Sequence, residues 1–248
     1  LNLTEERVID PMDDIKVTAR APGGTDETVL IGFPGSGLVG SIALQYLVEQ
    51  MEFEQIGAIT SKYFPPVALM AKGVISAPVR LYEKDNLLTV VSDVPIHPAI
   101  CYEVANGIMD WLTRFDIKEV VTIAGIITNE PEKRVFGVAT SPELLQRIED
   151  KAIILPMGSL SGVAASILTE CKTRGIPGVG LLGETVNTPD PRAAAATIEV
   201  LNQIYDLNLD VEPLLEQAVE IEAAMAQIAE QVQKTEGQPR REQLPMYG

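Results

Sequence analysis

Four places in the chain carry residue types that could do chemistry. Gly35-Ser36-Gly37-Leu38-Val39-Gly40 has the spacing G-x-G-x-x-G, which between a strand and a helix lets backbone N–H groups approach a phosphate. Ser36 is placed to cap that helix. The rest of a dinucleotide fingerprint is missing. The second strand runs into Thr60-Ser61-Lys62-Tyr63 with no acidic residue for a ribose, and no Lys-Ser/Thr pair completes a Walker loop. Gly35, Gly37 and Gly40 are therefore expected to serve a tight turn and close helix–strand packing, with anion binding as the other reading. His97, the only histidine, lies in Val94-Pro95-Ile96-His97-Pro98. A general base there would need Asp93 or Cys101 as its partner, and a structural place in the loop is expected. Glu184 and Asp190 could bind a metal in principle, but no histidine or clustered carboxylate stands beside them in sequence, so they read as an acidic loop on an acidic protein. No nucleophilic triad assembles, and neither a cofactor nor a metal is expected. The fourth place is the ending, Met246-Tyr247-Gly248. An apolar side chain, an amphipathic ring and a carboxylate at the tip of a polar segment suit capture in a partner's pocket, where backbone donors or a cation would take the charge. An arbitrary ending fits that pattern at roughly 1%.

The composition narrows the partners. With 35 acidic and 19 basic residues the formal charge is −16, a surface that repels phosphate backbones and anionic membranes. Nucleic acid and lipid are poor expectations. Cys101 and Cys171 are far apart and show no Cys-x-x-Cys spacing, so two buried reduced thiols are expected. No apolar run approaches the roughly 20 residues of a membrane span, no signal peptide is recognisable, and a cytoplasmic protein is expected. The chain opens at Leu1, ahead of which a start methionine is expected.

The elements that would position these groups alternate. Residues 1–27 are polar and rich in Asp, Pro and Gly, and are expected to wrap the surface loosely. Thr28–Phe33 reads as a buried strand, Leu38, Val39, Ile42, Ala43, Tyr46 and Leu47 recur with helical spacing, and Ile56–Thr60 is a second strand. Val74–Tyr82 and Leu87–Val91 flank a hairpin turn. A helix follows Pro98, carrying Trp111 and Phe115 on one face. Val120–Ile127 is apolar throughout, as in a strand covered on both faces. Further helices are expected near Glu143–Ile148, Gly162–Thr173 and Arg192–Tyr205, with strands at Ala152–Leu155 and Val179–Leu182. This order predicts an α/β three-layer sandwich over residues 28–209 around a largely parallel or mixed sheet.

Residues 210–235 form a different helix. Val211, Leu214, Ala218, Ile221, Met225, Ile228 and Val232 keep a spacing of alternately 3 and 4, a heptad period. Asp210 can cap it, and Pro213 is tolerated in its first turn. The stripe suits either packing on its own domain or a seam between subunits, and the pattern does not choose. Residues 236–248 follow as a polar, flexible tail.

Several segments together resemble the PAC2 superfamily of proteasome assembly chaperone homologues. They are Ile31-Gly32-Phe33-Pro34-Gly35-Ser36-Gly37-Leu38-Val39-Gly40, Gly158-Ser159-Leu160-Ser161-Gly162, Gly175-Ile176-Pro177-Gly178 and Leu181-Leu182-Gly183-Glu184-Thr185. The resemblance spans about residues 28–206. It implies a fold related to nucleoside phosphorylases without an established catalytic site, and homo-oligomers in archaeal-type members, here expected as a tetramer or pentamer. Proteasome activators and some archaeal-type members of this family end in hydrophobic–Tyr–any, a pattern that Met246-Tyr247-Gly248 matches. The resemblance implies that these tails enter pockets between α-subunits of the proteasome core particle, where a lysine meets the carboxylate. The alternative is a nucleotide-dependent, ligase- or phosphorylase-like enzyme of small molecules using the Gly35–Gly40 loop with His97 or Glu184.

Overall fold

Strands buried along their whole length must be covered on both sides, and three of them organise this molecule. The computed structural model describes residues 14–128, 130, 132–186 and 188–220. Its strands are β1 (Ile15–Ala19), β2 (Glu27–Gly32), β3 (Glu54–Ser61), β4 (Leu69–Ala71), β5 (Val74–Ser76), β6 (Val79–Lys84), β7 (Leu87–Ser92), β8 (Ile117–Ile127), β9 (Val135–Ala139), β10 (Ile153–Ile154) and β11 (Gly178–Thr185). Its helices are α1 (Val39–Gln50), α2 (Cys101–Leu112), α3 (Pro142–Ile148), α4 (Gly162–Arg174) and α5 (Pro191–Tyr205). Nine strands share one sheet in the order β1-β3-β6-β7-β2-β8-β11-β9-β10. The centre, β7-β2-β8-β11, is parallel. On one side β6, β3 and β1 join it antiparallel, and on the other β9 pairs antiparallel with β11.

Every residue of β2, β7 and β11 is buried, because helices cover both faces. Val29 and Ile31 point with Leu88 and Val90 into a core closed by α2 and α4. Leu30, one residue out of phase, points with Val121 and Ile123 into a second core closed by α1, α3 and α5. The period of two thus supplies both cores of a three-layer α/β sandwich.

The structure departs from the sequence reading in four places. Ile15–Ala19 does not wrap loosely. It pairs antiparallel with β3, and Ile15 packs in the α2 core. Val74–Tyr82 is not one strand. Val74–Ser76 pairs with Leu69–Ala71 in a separate two-stranded hairpin, and the main-sheet hairpin is β6–β7, since Pro78 interrupts the run. β9 was not foreseen. Phe115 lies beyond α2, although its ring still meets Trp111 edge-on at 4.9 Å.

Residues 212–220 are helical, with the Asp210 carboxylate accepting from the Glu212 N–H at 3.0 Å. Leu214 and Ala218 are buried against their own domain, Leu214 in the α1–α5 core. Tyr46 donates to the Asp210 carbonyl at 2.6 Å, and Asn202 holds both the N–H and the C=O of Leu209. The base of this helix is therefore fixed to the body. Ile221, Met225, Ile228 and Val232, and Met246, Tyr247 and Gly248, lie outside the described residues.

Candidate functional site

The connection out of β2 decides what the glycine turn can do. The helix after it must cross closely over β2 and β8, and closeness is what glycine supplies. A Cβ on Gly40 would sit 2.3 Å from the Ile123 carbonyl oxygen, and one on Gly32 would sit 2.3 Å from the Gly40 carbonyl oxygen. Gly37 takes a left-handed φ of 62°, and its Cβ would meet Thr185 Oγ1 at 2.0 Å. Gly35 has open space around it. Ser36 does not cap α1. It lies in a 3-10 turn, Ser36–Leu38, and the N-cap position falls to Leu38, whose φ is 53° and whose side chain makes no capping bond. The geometry gives Gly32, Gly37 and Gly40 a packing role.

The space beside Gly37 is filled by the chain itself. Its carbonyl accepts the Asp190 N–H at 2.9 Å. The Asp190 carboxylate lies 2.9 Å from Thr185 Oγ1, accepts from the Ala193 N–H at 3.0 Å as the cap of α5, and accepts from Lys133 at 2.7 Å. Burial works to raise its pKa, but Lys133, the Ala193 amide and Thr185 together hold it below the ordinary carboxylate range. An anion approaching Gly37 would meet this carboxylate.

Glu184 is fully buried, and so is not part of a solvated acidic loop. Arg134 grips it with Nε at 2.7 Å and Nη2 at 2.9 Å, its backbone N–H adds a bond at 3.2 Å, and Thr128 donates a further one. The Arg134 guanidinium beside it lowers its pKa to about 2 against the opposing effect of burial. A carboxylate so saturated holds no proton near neutrality and offers no lone pair to a substrate. Arg134 and Lys133 were missed by the sequence reading. Their signal was an adjacent basic pair in a strongly acidic chain.

The other candidates fall apart in space or in chemistry. His97 is exposed, and its Nδ1 accepts from the Ala99 N–H at 3.2 Å, capping the Pro98–Ile100 turn. Asp93 pairs with Arg80. Burial raises the Cys101 thiol and pushes Cys171 up to about 12, so both stay protonated. No group of three metal-ligating side chains occurs among the described residues. Topology puts a crevice at the carboxyl ends of β7 and β2, because β2 leads through α1 to one side of the sheet and β7 leads through α2 to the other. It is lined by Phe33, Gly35, Ile96, Cys101, Ser161 and Val163 and encloses about 80 Å³, well under the roughly 300 Å³ of a small ligand pocket.

Comparison with known proteins fits this arrangement. A profile of the PAC2 family matches residues 29–229, and the chain belongs to the PAC2 family. An uncharacterized protein of Methanocaldococcus jannaschii is 32% identical over 238 residues, covering 95% of this chain and 99% of its own. The crystal structure of Pyrococcus furiosus PbaA, described as an archaeal homolog of proteasome-assembly chaperone, superposes with a TM-score of 0.80 at 33% identity, covering 89% of this chain and 94% of that one. P. furiosus PbaB, described as an archaeal proteasome activator, superposes with a TM-score of 0.78 at 25% identity over 88% of this chain and 100% of that one.

Proposed function

We propose that this protein is a proteasome assembly chaperone or activator that docks on the α-ring of the core particle through Met246-Tyr247-Gly248. The observation that carries the reading is the pairing of a PAC2 fold similar to PbaA and PbaB with a hydrophobic–Tyr–any ending. The two are independent, since the family match stops at residue 229. The Met246 side chain and the Tyr247 ring fill an apolar slot between α-subunits, and the Gly248 carboxylate meets a lysine there. Each tail offers little contact area, so the working species is a homo-oligomer that presents several tails at once. Chemistry plays no part in this reading. The enzymatic alternative would have to use Glu184, which Arg134 holds ionised, or His97, which caps a turn.

Pull-down with purified core particles tests the proposal. The parent should bind. Tyr247→Ala should not, and neither should a variant with one residue added after Gly248, which moves the carboxylate while leaving every side chain in place. Melting temperature and assembly mass should be unchanged in both. An extended variant that binds as tightly as the parent would refute docking through these three residues.

A further inference from the structure

The β4–β5 hairpin pairs with no other strand. A lone two-stranded hairpin is at best marginally stable in water, yet this one is well specified. Lys72 and Gly73 form its two-residue turn, both with positive φ (51° and 80°), the geometry that matches strand twist. It also carries apolar side chains into solvent. Val67 is 47% exposed, Met70 73%, Val74 70% and Ile75 67%. Met70 stands opposite Ile75, and Val74 lies on the other face, so apolar side chains are exposed on both faces of the hairpin. The surrounding sequence breaks with the rest of the chain in charge as well. From Gln55 to Tyr82 there is no acidic residue, while Lys62, Lys72 and Arg80 are basic. Lys62 pairs with Asp14 and Arg80 with Asp93, whereas Lys72 makes no ion pair among the described residues.

An apolar surface with a free cation fits an apolar surface edged by carboxylates. Two hairpins face to face would bring two Lys72 side chains together. The chain itself offers the complement elsewhere. Ile127 ends β8 and Val186 directly follows the neighbouring strand β11, and they are 53% and 45% exposed, and Glu130 and Glu132, in the loop after β8, are exposed. Both patches lie at the carboxyl ends of the parallel strands. The hairpin joins β3 to β6, and β6 is three strands from β8, roughly 14 Å at about 4.8 Å per strand. Two different patches so separated can meet reciprocally in a two-fold dimer or head to tail in a ring.

We propose that the β4–β5 hairpin is a protomer–protomer contact, docking through Met70, Val74 and Ile75 on the Ile127–Val186 rim of a second copy of this chain, with Lys72 facing Glu130 and Glu132. The proposal rests on the homo-oligomer of the preceding section. Light scattering on the full chain tests it. Met70→Glu and Val74→Glu change exposed positions, so circular dichroism and melting temperature should match the parent, while assembly mass should fall to that of one chain. Lys72→Glu should weaken assembly at least tenfold, and adding Glu130→Lys and Glu132→Lys should restore it. A monomeric parent would overturn both this proposal and the oligomer. An oligomeric parent with Met70→Glu and Val74→Glu assemblies of equal mass would overturn the hairpin contact alone. Failure of the charge exchange to restore assembly would overturn the rim as its partner. Unchanged mass with loss of core-particle binding would place the hairpin on the core particle and refute the contact between copies.

Discussion

Substituting alanine along the glycine turn should separate a packing motif from a ligand motif, because the structure gives the glycines opposite surroundings. At Gly40 the added Cβ would lie 2.3 Å from a carbonyl oxygen of β8. That oxygen belongs to the central sheet and cannot rotate aside. Ordinary contact needs about 3.4 Å, so α1 must lift by roughly 1 Å, and lifting it loosens Leu44 and Leu47 against the sheet. Overpacking of this kind costs about 1–3 kcal/mol, and a fixed backbone neighbour argues for about 3. Better helix propensity of alanine over glycine returns about 1 kcal/mol, leaving a net loss of about 2 kcal/mol. At Gly35 nothing lies within 4 Å and φ is −154°, so alanine should be neutral or stabilise by about 0.4–1 kcal/mol through the unfolded chain.

Urea unfolding reads both variants. With a slope of about 2 kcal/mol/M the Gly40→Ala midpoint should drop by about 1 M, and the Gly35→Ala midpoint should hold or rise. Calorimetric titration of the parent with ATP, NAD and nucleosides should show no saturable binding. Gly40→Ala unfolding with the parent would refute the packing argument. Micromolar nucleotide binding abolished by Gly35→Ala at unchanged stability would refute the functional reading and favour the enzyme.

Three further outcomes follow from the same geometry. Glu184 has its pKa lowered from 4.5 to about 2, so its ion pair contributes stability above pH 4.5 that is lost as pH falls toward 2; Arg134→Gln should lower the melting temperature at pH 7, with the gap to the parent closing over that window. Glu27 is fully buried with neither carboxylate oxygen hydrogen-bonded, and its pKa is raised by burial and by Glu83, with the Gly24 backbone working the other way. A raised acid stabilises below pH 4.5 and loses that contribution as pH rises, so Glu27→Gln should be more stable than the parent at pH 8, with the gain disappearing at pH 4, by denaturant titration. Replacing Ile221 and Met225 with Asp tests the heptad stripe beyond Ala218: a seam between subunits predicts loss of assembly mass by light scattering, whereas packing on one chain predicts a lower melting temperature at constant mass.

What the sequence made legible is what local pattern controls. β2, β8 and β11 are apolar runs that could only be buried strands, and α1, α2, α4 and α5 followed from spacing and flanking turns. β1 was overlooked although Ile15, Val17 and Ala19 alternate with exposed Lys16 and Thr18, a period-two signal inside a segment whose composition suggested a loop. β9 is five residues long and follows a charged stretch, so nothing in its own neighbourhood announced it. The site residues were harder for a related reason. Arg134 reaches Glu184 across fifty positions because β9 pairs antiparallel with β11, setting Val135 opposite Gly183. That register is a tertiary fact, and without it an acidic residue in an acidic chain looks solvated. Of the three glycines expected to pack, Gly37 and Gly40 lie in close contact while Gly35 has open space, and the reason is equally tertiary, since the clash at Gly40 comes from β8, some eighty residues away.

The division of labour between body and tail bears on what selection can act on. The buried carboxylates of Glu184 and Asp190 are paired with Arg134 and Lys133, so they serve to hold a strand end and a helix start in place. On the proposed reading, recognition falls to the exposed hairpin and to the ending Met246-Tyr247-Gly248. These two depend on each other. On the proposed docking, one tail offers only a thioether side chain, a ring and a carboxylate, so a single contact should be weak. Tails gathered on one assembly act at millimolar effective concentration, and avidity adds about 10² to 10⁴ when their spacing matches the sites. Tyr46 and Asn202 hold the base of the helix at Leu209 and Asp210 at a defined place on the body, and on the proposed docking the geometry of the assembly would set the spacing of the tails. A hairpin variant such as Val74→Glu, monomeric but with Met246-Tyr247-Gly248 intact, should therefore lose core-particle binding by at least a hundredfold. Were the monomer to bind as tightly as the assembly, one tail would suffice, and the oligomer would have to be explained by something other than docking.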